Sequence, residues 1–308
     1  MSKLNKVSFA IIIHKVSPNS EDLVREITKR GHLVDYLFFD SILNHNSKLE
    51  IILRNKKRQR INDNNFDLLI WRDTETRAII RKIVANYFRQ KGKIFIDKIW
   101  ATRDWTANKL RQVEFFFHHG LPVPKTLFLS NFSTRFKNSP HQLFKKITSS
   151  LGIPFVAKPI VGSKGNNIFL IKKEKEFQQL EQKFCDLSGR NPLFQEYLSN
   201  NGDFRALLIN KKFIGAYKRI PKEGEFRANI AQGGKGEKVT PEKELISLSK
   251  KVAEIMGIEI LGVDIIQDQK CKKYYVVETN GIPQWQGFKK TTGINVAQEI
   301  IDYCLSLL

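Results

Sequence analysis

The first hundred residues alternate short apolar strands with helix-forming segments, and this alternation constrains the fold more than any other feature. Apolar runs predict four strands, at residues 9–13, 33–39, 66–71 and 94–96. Between them, Ser20 opens a helix that Gly31 ends, and residues 74–90 form an amphipathic helix. This order predicts a parallel α/β layer. No G-x-G-x-x-G turn occurs in it, so a dinucleotide site is not indicated.

The rest of the chain mixes helices and strands, and it becomes rich in strands after residue 190. Helices are predicted at residues 106–120, 140–150, 175–187 and 241–256, and from about Asn295. Strands are predicted at residues 126–129, 155–158, 168–171, 193–198, 204–209, 213–217, 260–267 and 274–279. We therefore expect an N-terminal α/β domain at 1–100, a central α+β subdomain at 101–190 and a C-terminal α+β subdomain at 191–308.

The composition is that of a globular protein. Of the 308 residues, 41% are hydrophobic and 27% are charged, which is too apolar for a disordered chain. Three scattered cysteines argue against a disulfide framework and for a reducing compartment. No apolar run approaches the roughly 20 residues that cross a bilayer. We therefore expect a cytoplasmic protein without membrane contact.

The chain is strongly basic, because 52 lysines and arginines against 31 aspartates and glutamates give a net charge of +21. Nucleic acid, phosphate-rich ligands and acidic protein tails are all open as partners. The densest basic run covers residues 54–60, with five cations in seven positions. Such a run is most often a solvated loop or an edge strand, and a docking role is the alternative.

Two apolar strands near the C-terminus each carry one carboxylate, Asp264 and Glu278. A carboxylate inside an apolar strand requires a cation or a dense set of donors. The short connection at 268–273 predicts an antiparallel hairpin in which Asp264 faces Glu278, with Asn280 on the same face. Two carboxylates and an amide suit Mg²⁺. Salt bridges to lysine, or exposure to water, are the alternatives.

Two further segments carry cations suited to an anionic ligand. The loop at 161–167 joins two strands and contains glycines that turn backbone N–H groups toward an anion, with Lys158 and Lys164 beside it. It lacks the P-loop pattern, so it indicates a phosphate-covering flap or a plain hairpin turn. In the segment 203–236, alternate strand positions direct Arg205 and Arg219 into one cleft, unless that sheet face is simply exposed.

The order of these motifs carries more information than any one of them. Lys109 comes first, then Lys158 with its glycine loop, the strand with Glu196 and Tyr197, an Arg-x-Asn at 227–229, Asp264, and a Glu-x-Asn at 278–280. This order resembles that of the ATP-grasp ligases. It is most similar to the RimK-type branch, which joins α-amino acids, usually glutamate, to a carboxylate. Residues 224–229 and 290–293 are the most branch-specific pieces, and the resemblance covers roughly 100–296.

The resemblance implies a fold and a nucleotide site. An N-terminal α/β pre-ATP-grasp domain would precede two α+β subdomains that grip ATP between them, with the central one as a lid. Lys109 and Lys158 would contact the ATP phosphates, beneath a flap that contains Gly162, Ser163, Lys164 and Gly165. The backbone of Glu196 and Tyr197 would hold adenine. The ribose and the rest of the nucleotide would be contacted by Asp203, Arg227 and Asn229.

The resemblance also implies metal ligands and catalytic residues. The Mg²⁺ ligands, with Mn²⁺ as the alternative metal, would be Asp264, Glu278 and Asn280, in agreement with the hairpin argument. The cations at the reacting centre would be Arg205, Arg219 and Arg227. One position departs from the family, because its Asn-x-x-Pro-Gly appears here with Gln284 in place of the last glycine, followed by Trp285. That loop borders the acceptor side, so the departure bears on the acceptor.

The function implied is an ATP-dependent carboxylate–amine ligase that works through an acyl phosphate. It would add L-glutamate or another α-amino acid to a protein C-terminus, a peptide or a small carboxylate, and an acidic protein tail would suit the basic surplus. Carrier-protein or coenzyme ligases of the same superfamily are one alternative. A catalytically silent RNA- or ribosome-binding protein is the other, with nucleic acid otherwise involved only indirectly. The family also suggests a homo-oligomer.

Overall fold

The computed structural model describes residues 6–45, 48–61, 65–74, 78–102, 108–162, 167–185, 191–226 and 234–308. Within these ranges the chain forms three β-sheets and ten α-helices. The helices are α1 (Pro18–Lys29), α2 (Ala78–Gln90), α3 (Lys109–His118), α4 (Phe132–Asn138), α5 (Pro140–Leu151), α6 (Glu174–Gln178), α7 (Leu180–Cys185), α8 (Lys243–Met256), α9 (Gln286–Thr292) and α10 (Val296–Leu305). None of them, in the part of the chain described, is long and apolar enough to cross a membrane.

The N-terminal sheet has six strands in the order β4-β3-β2-β1-β5-β6. The strands are β1 (Ser8–Ile12), β2 (Leu33–His45), β3 (Lys48–Arg54), β4 (Arg60–Ile61), β5 (Leu68–Trp71) and β6 (Ile94–Ile96). β1 pairs in parallel with β2 and β5, and β5 with β6, so the predicted parallel layer is confirmed. β3 and β4 add to it as antiparallel strands. The basic run at 54–60 thus forms the turn between β3 and the edge strand β4, which agrees with the predicted loop or edge strand.

The second sheet contains four antiparallel strands in the order β7-β10-β8-β9. They are β7 (Thr126–Phe128), β8 (Phe155–Pro159), β9 (Phe169–Ile171) and β10 (Pro192–Glu196). Its core is built largely from phenylalanine: Phe132 of α4, Phe144 of α5 and Phe177 of α6 pack with Phe155 and Phe194 of the sheet. This sheet therefore has a core separate from those of the other two.

The third sheet has five antiparallel strands in the order β13-β12-β11-β14-β15. They are β11 (Asp203–Ile209), β12 (Lys212–Ile220), β13 (Lys235–Lys238), β14 (Ile260–Gln267) and β15 (Tyr274–Asn280). Its apolar side chains share two cores with the N-terminal sheet. Leu208 and Ile265 belong to the core that contains Ile12, and Leu207 to the core that contains Phe9. The two sheets are thereby joined through continuous hydrophobic packing.

The predicted α+β class is confirmed, although several elements differ from the expectation. β2 continues to His45 instead of ending near residue 39, and it pairs with β3, which was not predicted. The single helix expected at 175–187 is two short helices, α6 and α7, within the described residues. Helices α4 and α9 were also missed. The domain boundaries near residues 100 and 190 stay a prediction.

Candidate active site

The hairpin of β14 and β15 places its two carboxylates opposite each other, as predicted. Asp264 pairs with Glu278, and Gly262 pairs with Asn280. The next pair is Ile265 with Val276, so Val277 is an extra residue that forms a β-bulge. The bulge lets Val277 and Glu278 both line the same cleft. Glu278 and Asn280 of β15 thus lie beside the part of β14 that carries Asp264.

Asp264 is held by two arginines. Arg205 donates to both carboxylate oxygens of Asp264, with Nη2 2.7 Å from Oδ2, and Arg219 Nη2 lies 3.0 Å from the same Oδ2. Burial alone would raise the pKa of Asp264, but Arg205 and Arg219 lower it to about 2. Asp264 is therefore ionised at neutral pH, and the two arginines predicted to share one cleft, Arg205 and Arg219, both contact a carboxylate that lines it.

Asp203 extends this cluster by one more carboxylate. It is the cross-strand neighbour of Arg219, and Nε and Nη2 of Arg219 each lie 2.6 Å from an oxygen of Asp203. Burial raises the pKa of Asp203, against the effect of Arg219. Arg219 thus bridges Asp203 and Asp264, a fork geometry that fixes both acids on the sheet surface.

Lys109 and Lys158 meet at the other side of the hairpin. Lys109 is the first residue of α3; its Nζ lies 3.2 Å from Oε1 of Glu278 and donates to the carbonyl oxygen of Gly162 at 2.7 Å. Lys158, on β8, is 3% exposed. Burial lowers the pKa of Lys158 to about 8, with Glu278 opposing and Lys109 reinforcing the change. Two lysines from different elements therefore converge on one carboxylate.

Gln112 anchors this arrangement and was not predicted from the sequence. Its Oε1 accepts from the backbone N–H of Thr279 at 2.7 Å, and its Nε2 donates to the Thr279 carbonyl at 3.2 Å. It therefore joins α3, which carries Lys109, to the strand that carries Glu278. The available signal was a glutamine on the stripe of α3 that also contains Val113 and Phe116, all of them buried.

A cleft between the four-stranded and five-stranded sheets connects these groups to an apolar surface. Val156 and Lys158 are two residues apart on β8 and both line the cleft. The side chain of Glu196, at the end of β10, accepts from the backbone N–H of Lys125 at 2.7 Å. The lining residues are Pro124, Val156, Lys158, Ile168, Gln195, Glu196, Tyr197, Leu198, Asn200, Asp203, Phe226, Asp264, Ile266, Val277 and Glu278. One part of the cleft is apolar and the other is charged, which suits a ligand with a flat ring and an anionic tail.

The predicted site residues divide into two groups. The structure brings together the following: Lys109, Lys158, Gly162, Glu196, Tyr197, Asp203, Arg205, Arg219, Asp264, Glu278 and Asn280. Five others lie outside the described residues, namely Ser163, Lys164, Gly165, Arg227 and Asn229. Their predicted roles stay predictions.

The hairpin carries few side chains that could hold a divalent cation. Among the described histidines, cysteines, aspartates and glutamates, no three or more form a metal-binding group. The candidate set is smaller and includes an amide: Asp264, Glu278 and Asn280, hard oxygen donors that suit Mg²⁺ with phosphate oxygens as further ligands. Glu278 pairs with Lys109, the salt bridge to lysine that the sequence left open, whereas Asp264 pairs with arginines, and Asn280 Oδ1 accepts from the N–H of Ile282 at 3.0 Å. Because all three side chains carry hard oxygen donors, the chemistry of the set fits Mg²⁺.

The loop after β15, residues 281–285, is enclosed by other parts of the chain. A Cβ on Gly281 would lie 2.5 Å from ring atoms of Trp100, so no larger residue fits without displacement. Gln284, the departure from the family pattern, accepts from Asn19, and Trp285 is fully buried. The N-terminal α/β domain therefore forms one wall of this loop.

The four-stranded and the five-stranded sheet, each packed against helices, enclose a cleft, and an N-terminal α/β layer lies next to them. This is the arrangement of an ATP-grasp fold. The chain belongs to the RimK-like ATP-grasp family, because the model of the RimK-like ATP-grasp domain matches residues 106–304. That family consists of ligases, so the chain is an enzyme by membership. The resemblance that the motifs indicated is thereby confirmed.

Two curated relatives extend the similarity to most of the chain. A protein of Vibrio atlanticus (strain LGP32), named probable alpha-L-glutamate ligase, is 29% identical over 278 residues, which are 89% of this chain and 87% of the relative. A protein of the same name from Pseudomonas fluorescens (strain Pf-5) is 30% identical over 289 residues, 91% of this chain and 89% of the relative.

Solved structures of the ATP-grasp ligase PsnB share the fold. PsnB in complex with a minimal precursor superimposes with a TM-score of 0.72 at 18% identity, covering 98% of this chain and all (100%) of that chain. A second PsnB structure, with minimal precursor, Mg and ADP, gives a TM-score of 0.70 at 16% identity and covers 97% of this chain and 96% of that one. At these identities the likeness concerns the fold.

Proposed function

We propose that this chain is an ATP-dependent carboxylate–amine ligase that forms an amide bond through an acyl phosphate. The observation that carries the proposal is a cluster of four cations and three carboxylates at the charged end of the cleft: Lys109, Lys158, Arg205 and Arg219 with Asp203, Asp264 and Glu278. Such a cluster can balance a triphosphate together with a divalent cation.

The nucleotide lies along the cleft in this proposal. The adenine contacts the apolar part beside Glu196 and Tyr197, where backbone groups at the end of β10 supply its hydrogen bonds, and Asp203 faces the ribose. Lys109 and Lys158 contact the phosphates. The flap that begins at Gly162 covers them, which excludes water from a reactive intermediate. Arg227 and Asn229 complete the nucleotide contacts.

Asp264, Glu278 and Asn280 hold Mg²⁺ in this proposal, with Mn²⁺ as the alternative metal. When bound, the metal would neutralise part of the negative charge of the phosphates. The lowered pKa of Asp264 supports the assignment, because an ionised carboxylate is the form that binds a cation. The Mg and ADP bound by PsnB, which has the same fold, also support it.

The reaction follows from these positions. A carboxylate oxygen of one substrate attacks the γ-phosphorus, the bond to the β-phosphate oxygen breaks, and ADP leaves. The nitrogen of a neutral amine then attacks the acyl carbon, the bond from that carbon to the phosphate oxygen breaks, and inorganic phosphate leaves with the proton that the nitrogen loses. Arg205 and Arg219, with Arg227, stabilise the negative charge that develops at the phosphoryl group and at the tetrahedral oxygen.

We further propose L-glutamate as the amino acid and an acidic carboxylate, such as a protein tail or peptide, as the acceptor. The names of the two curated relatives support glutamate, and the precursor bound by PsnB supports a peptide. The departure at Gln284 borders this side of the site. A homo-oligomer remains an expectation by family, and a cytoplasmic location without membrane contact remains an expectation from the composition.

The test is ATP turnover with the full chain. Purified protein with Mg-ATP, L-glutamate and a panel of carboxylate acceptors should release phosphate and form an amide that mass spectrometry detects. Asp264→Asn should abolish that release with the far-ultraviolet circular dichroism unchanged. Asp302→Asn, which removes a surface carboxylate paired with Arg30, is the matched control and should remain active. If no acceptor gives amine-dependent ADP formation, the ligase proposal fails.

A further inference from the structure

A buried arginine of the N-terminal sheet holds the loop that follows β15. The backbone N–H of Arg72 donates to the carbonyl of Ile12 at 2.8 Å, so Arg72 lies at the carboxyl end of the parallel strands. Its Nη2 donates to the carbonyl oxygen of Pro283 at 2.6 Å, and its guanidinium lies 4.6 Å from the centroid of the Trp285 ring. Arg72 is 6% exposed. It therefore holds both a backbone and a side-chain group of one loop.

Helix α1 holds the same loop from a second direction. Asp22 accepts from Nε1 of Trp285 at 3.3 Å and from Nε2 of Gln286 at 2.9 Å. Asn19 accepts from the backbone N–H of Trp285 at 3.3 Å and donates to the side chain of Gln284. We call Asn19, Asp22 and Arg72 the clamp. Its contacts fix consecutive residues of the loop, so the loop has few ways to shift alone.

The clamped loop reaches directly into the reaction centre. It begins after Asn280, which pairs with Gly262 across the hairpin. A Cβ on Gly262 would meet Cβ of Pro283 at 3.1 Å and Cδ of Arg205 at 3.4 Å. Pro283 therefore packs over Gly262 beside Arg205, and a displacement of Pro283 would disturb both the arginine and the chain at Asn280.

We propose that the clamp consists of positioning residues for the Mg-nucleotide site, acting through Pro283 and Trp285 on Asn280 and Arg205. This inference rests on the proposed function and adds residues of the N-terminal domain, which lie outside the family match at 106–304. Groups that orient a metal ligand through a hydrogen bond commonly contribute 10–100-fold to metal affinity. The clamp thus gives the N-terminal domain a role in assembling the metal site.

Arg81 provides a matched control. Like Arg72 it is 6% exposed, its guanidinium stacks on a tryptophan, Trp100, at 3.6 Å, and burial lowers its pKa to about 10, as it does that of Arg72. Arg72 makes the hydrogen bond to Pro283, whereas Arg81 stacks on Trp100, whose ring packs against Gly281 at the start of the loop. Both variants remove a buried guanidinium, but Arg81→Met leaves the hydrogen bond to Pro283 in place.

The experiment measures binding of a fluorescent ADP analogue to the full chain, in EDTA and in excess Mg²⁺. Arg72→Met should keep the affinity in EDTA and lose roughly 10-fold of the gain in affinity that Mg²⁺ gives the wild type. Arg81→Met should keep the affinity in EDTA and lose clearly less of that gain than Arg72→Met. If Arg72→Met unfolds, Asp22→Asn replaces it in the same assay, with a loss in the same direction expected.

The outcomes separate the two levels of the proposal. If Arg72→Met or Asp22→Asn retains the whole gain from Mg²⁺, or if Arg81→Met loses as much, the clamp has no positioning role. If the wild-type chain binds no nucleotide, or gains nothing from Mg²⁺, the proposed function itself is overturned.

Discussion

Replacing Lys158 by methionine should stabilise the folded chain and at the same time remove its affinity for nucleotide. Lys158 is buried at the charged end of the cleft, and burial lowers its pKa from 10.5 to about 8. At neutral pH the side chain is still protonated, so folding has to bury a charge. The fold accepts this cost, and we attribute that to the charge being needed when phosphates bind.

The size of the cost follows from the pKa. At 1.36 kcal/mol per pH unit, the change from 10.5 to about 8 corresponds to about 3 kcal/mol at pH 7, taken as an upper value. Methionine has a similar length and no charge. Its introduction leaves three cations, Lys109, Arg205 and Arg219, against three carboxylates, so the net charge of the cluster falls from +1 to zero. We therefore expect the free energy of unfolding to rise by about 1–3 kcal/mol.

The pH dependence identifies the cause of this gain. The folded-state pKa of Lys158 lies below its unfolded value, so below about pH 8 both states are protonated and the wild type bears the full cost. As the pH rises from about 8 to 10.5, the folded state loses its proton first and the wild type gains stability. The difference between wild type and Lys158→Met should shrink over this range.

Denaturant unfolding at pH 7 and at pH 10.5, together with ATP binding at pH 7, measures both effects. Lys146→Met removes an exposed lysine of α5 and should change neither quantity. A Lys158→Met chain that is less stable than the wild type, or whose stability difference does not depend on pH, would refute the burial argument. Unchanged ATP affinity would refute the assignment of Lys158 to the phosphates.

Two further predictions concern the loop and the basic turn. Gly281→Ala should destabilise the fold by about 1–3 kcal/mol in thermal or denaturant unfolding, because the new Cβ overlaps the buried ring of Trp100; an unchanged midpoint would show that Trp100 moves freely. Replacing Lys56, Lys57 and Arg58 together by glutamine should raise the KM for an acidic acceptor and leave the KM for ATP unchanged, with a weaker salt dependence than the wild type. If neither KM moves in steady-state assays, the turn is only a solvated loop.

The pairing of Asp264 with Glu278 was predictable because period-two alternation and a short connection allow few registers. A regular hairpin with Asp264 opposite Glu278 would have its centre at Cys271. In the structure the pairs nearer the turn, such as Ile265 with Val276, are offset by one residue, and the bulge at Val277 restores the expected match. A bulge has no firm sequence signal here, so the correct pair was reached with one compensating feature unseen.

The partners of these carboxylates were not predictable, because they come from elements far away in the chain. Arg205 reaches Asp264 only because β11 pairs with β14, and Lys109 reaches Glu278 only because α3 packs against β15. The contacts of Asn19 and Asp22 with the loop span more than 260 residues of sequence. Residue types indicated the chemistry of the site, and tertiary packing decided which charges meet.

The positive charge of the chain is distributed in a way that supports an acidic acceptor. The reaction centre accounts for a net charge of only +1, from four cations and three carboxylates. In the basic turn, Lys56 lies 4.6 Å from the centroid of the Tyr36 ring, and Arg54, directly before the turn, pairs with Phe38. The turn therefore lies beside residues 36–38 of β2.

Residue 37 of β2 is level with Ile12, the last residue of β1, whose carbonyl accepts from Arg72. The basic turn and the clamp therefore lie at the same carboxyl edge of the N-terminal sheet, the edge at which open α/β sheets bind their ligands. An acidic chain attracted to the turn would approach the loop at Pro283 and, beyond it, Arg205. This placement is the structural reason to test the turn through the KM of the acceptor and not through that of ATP.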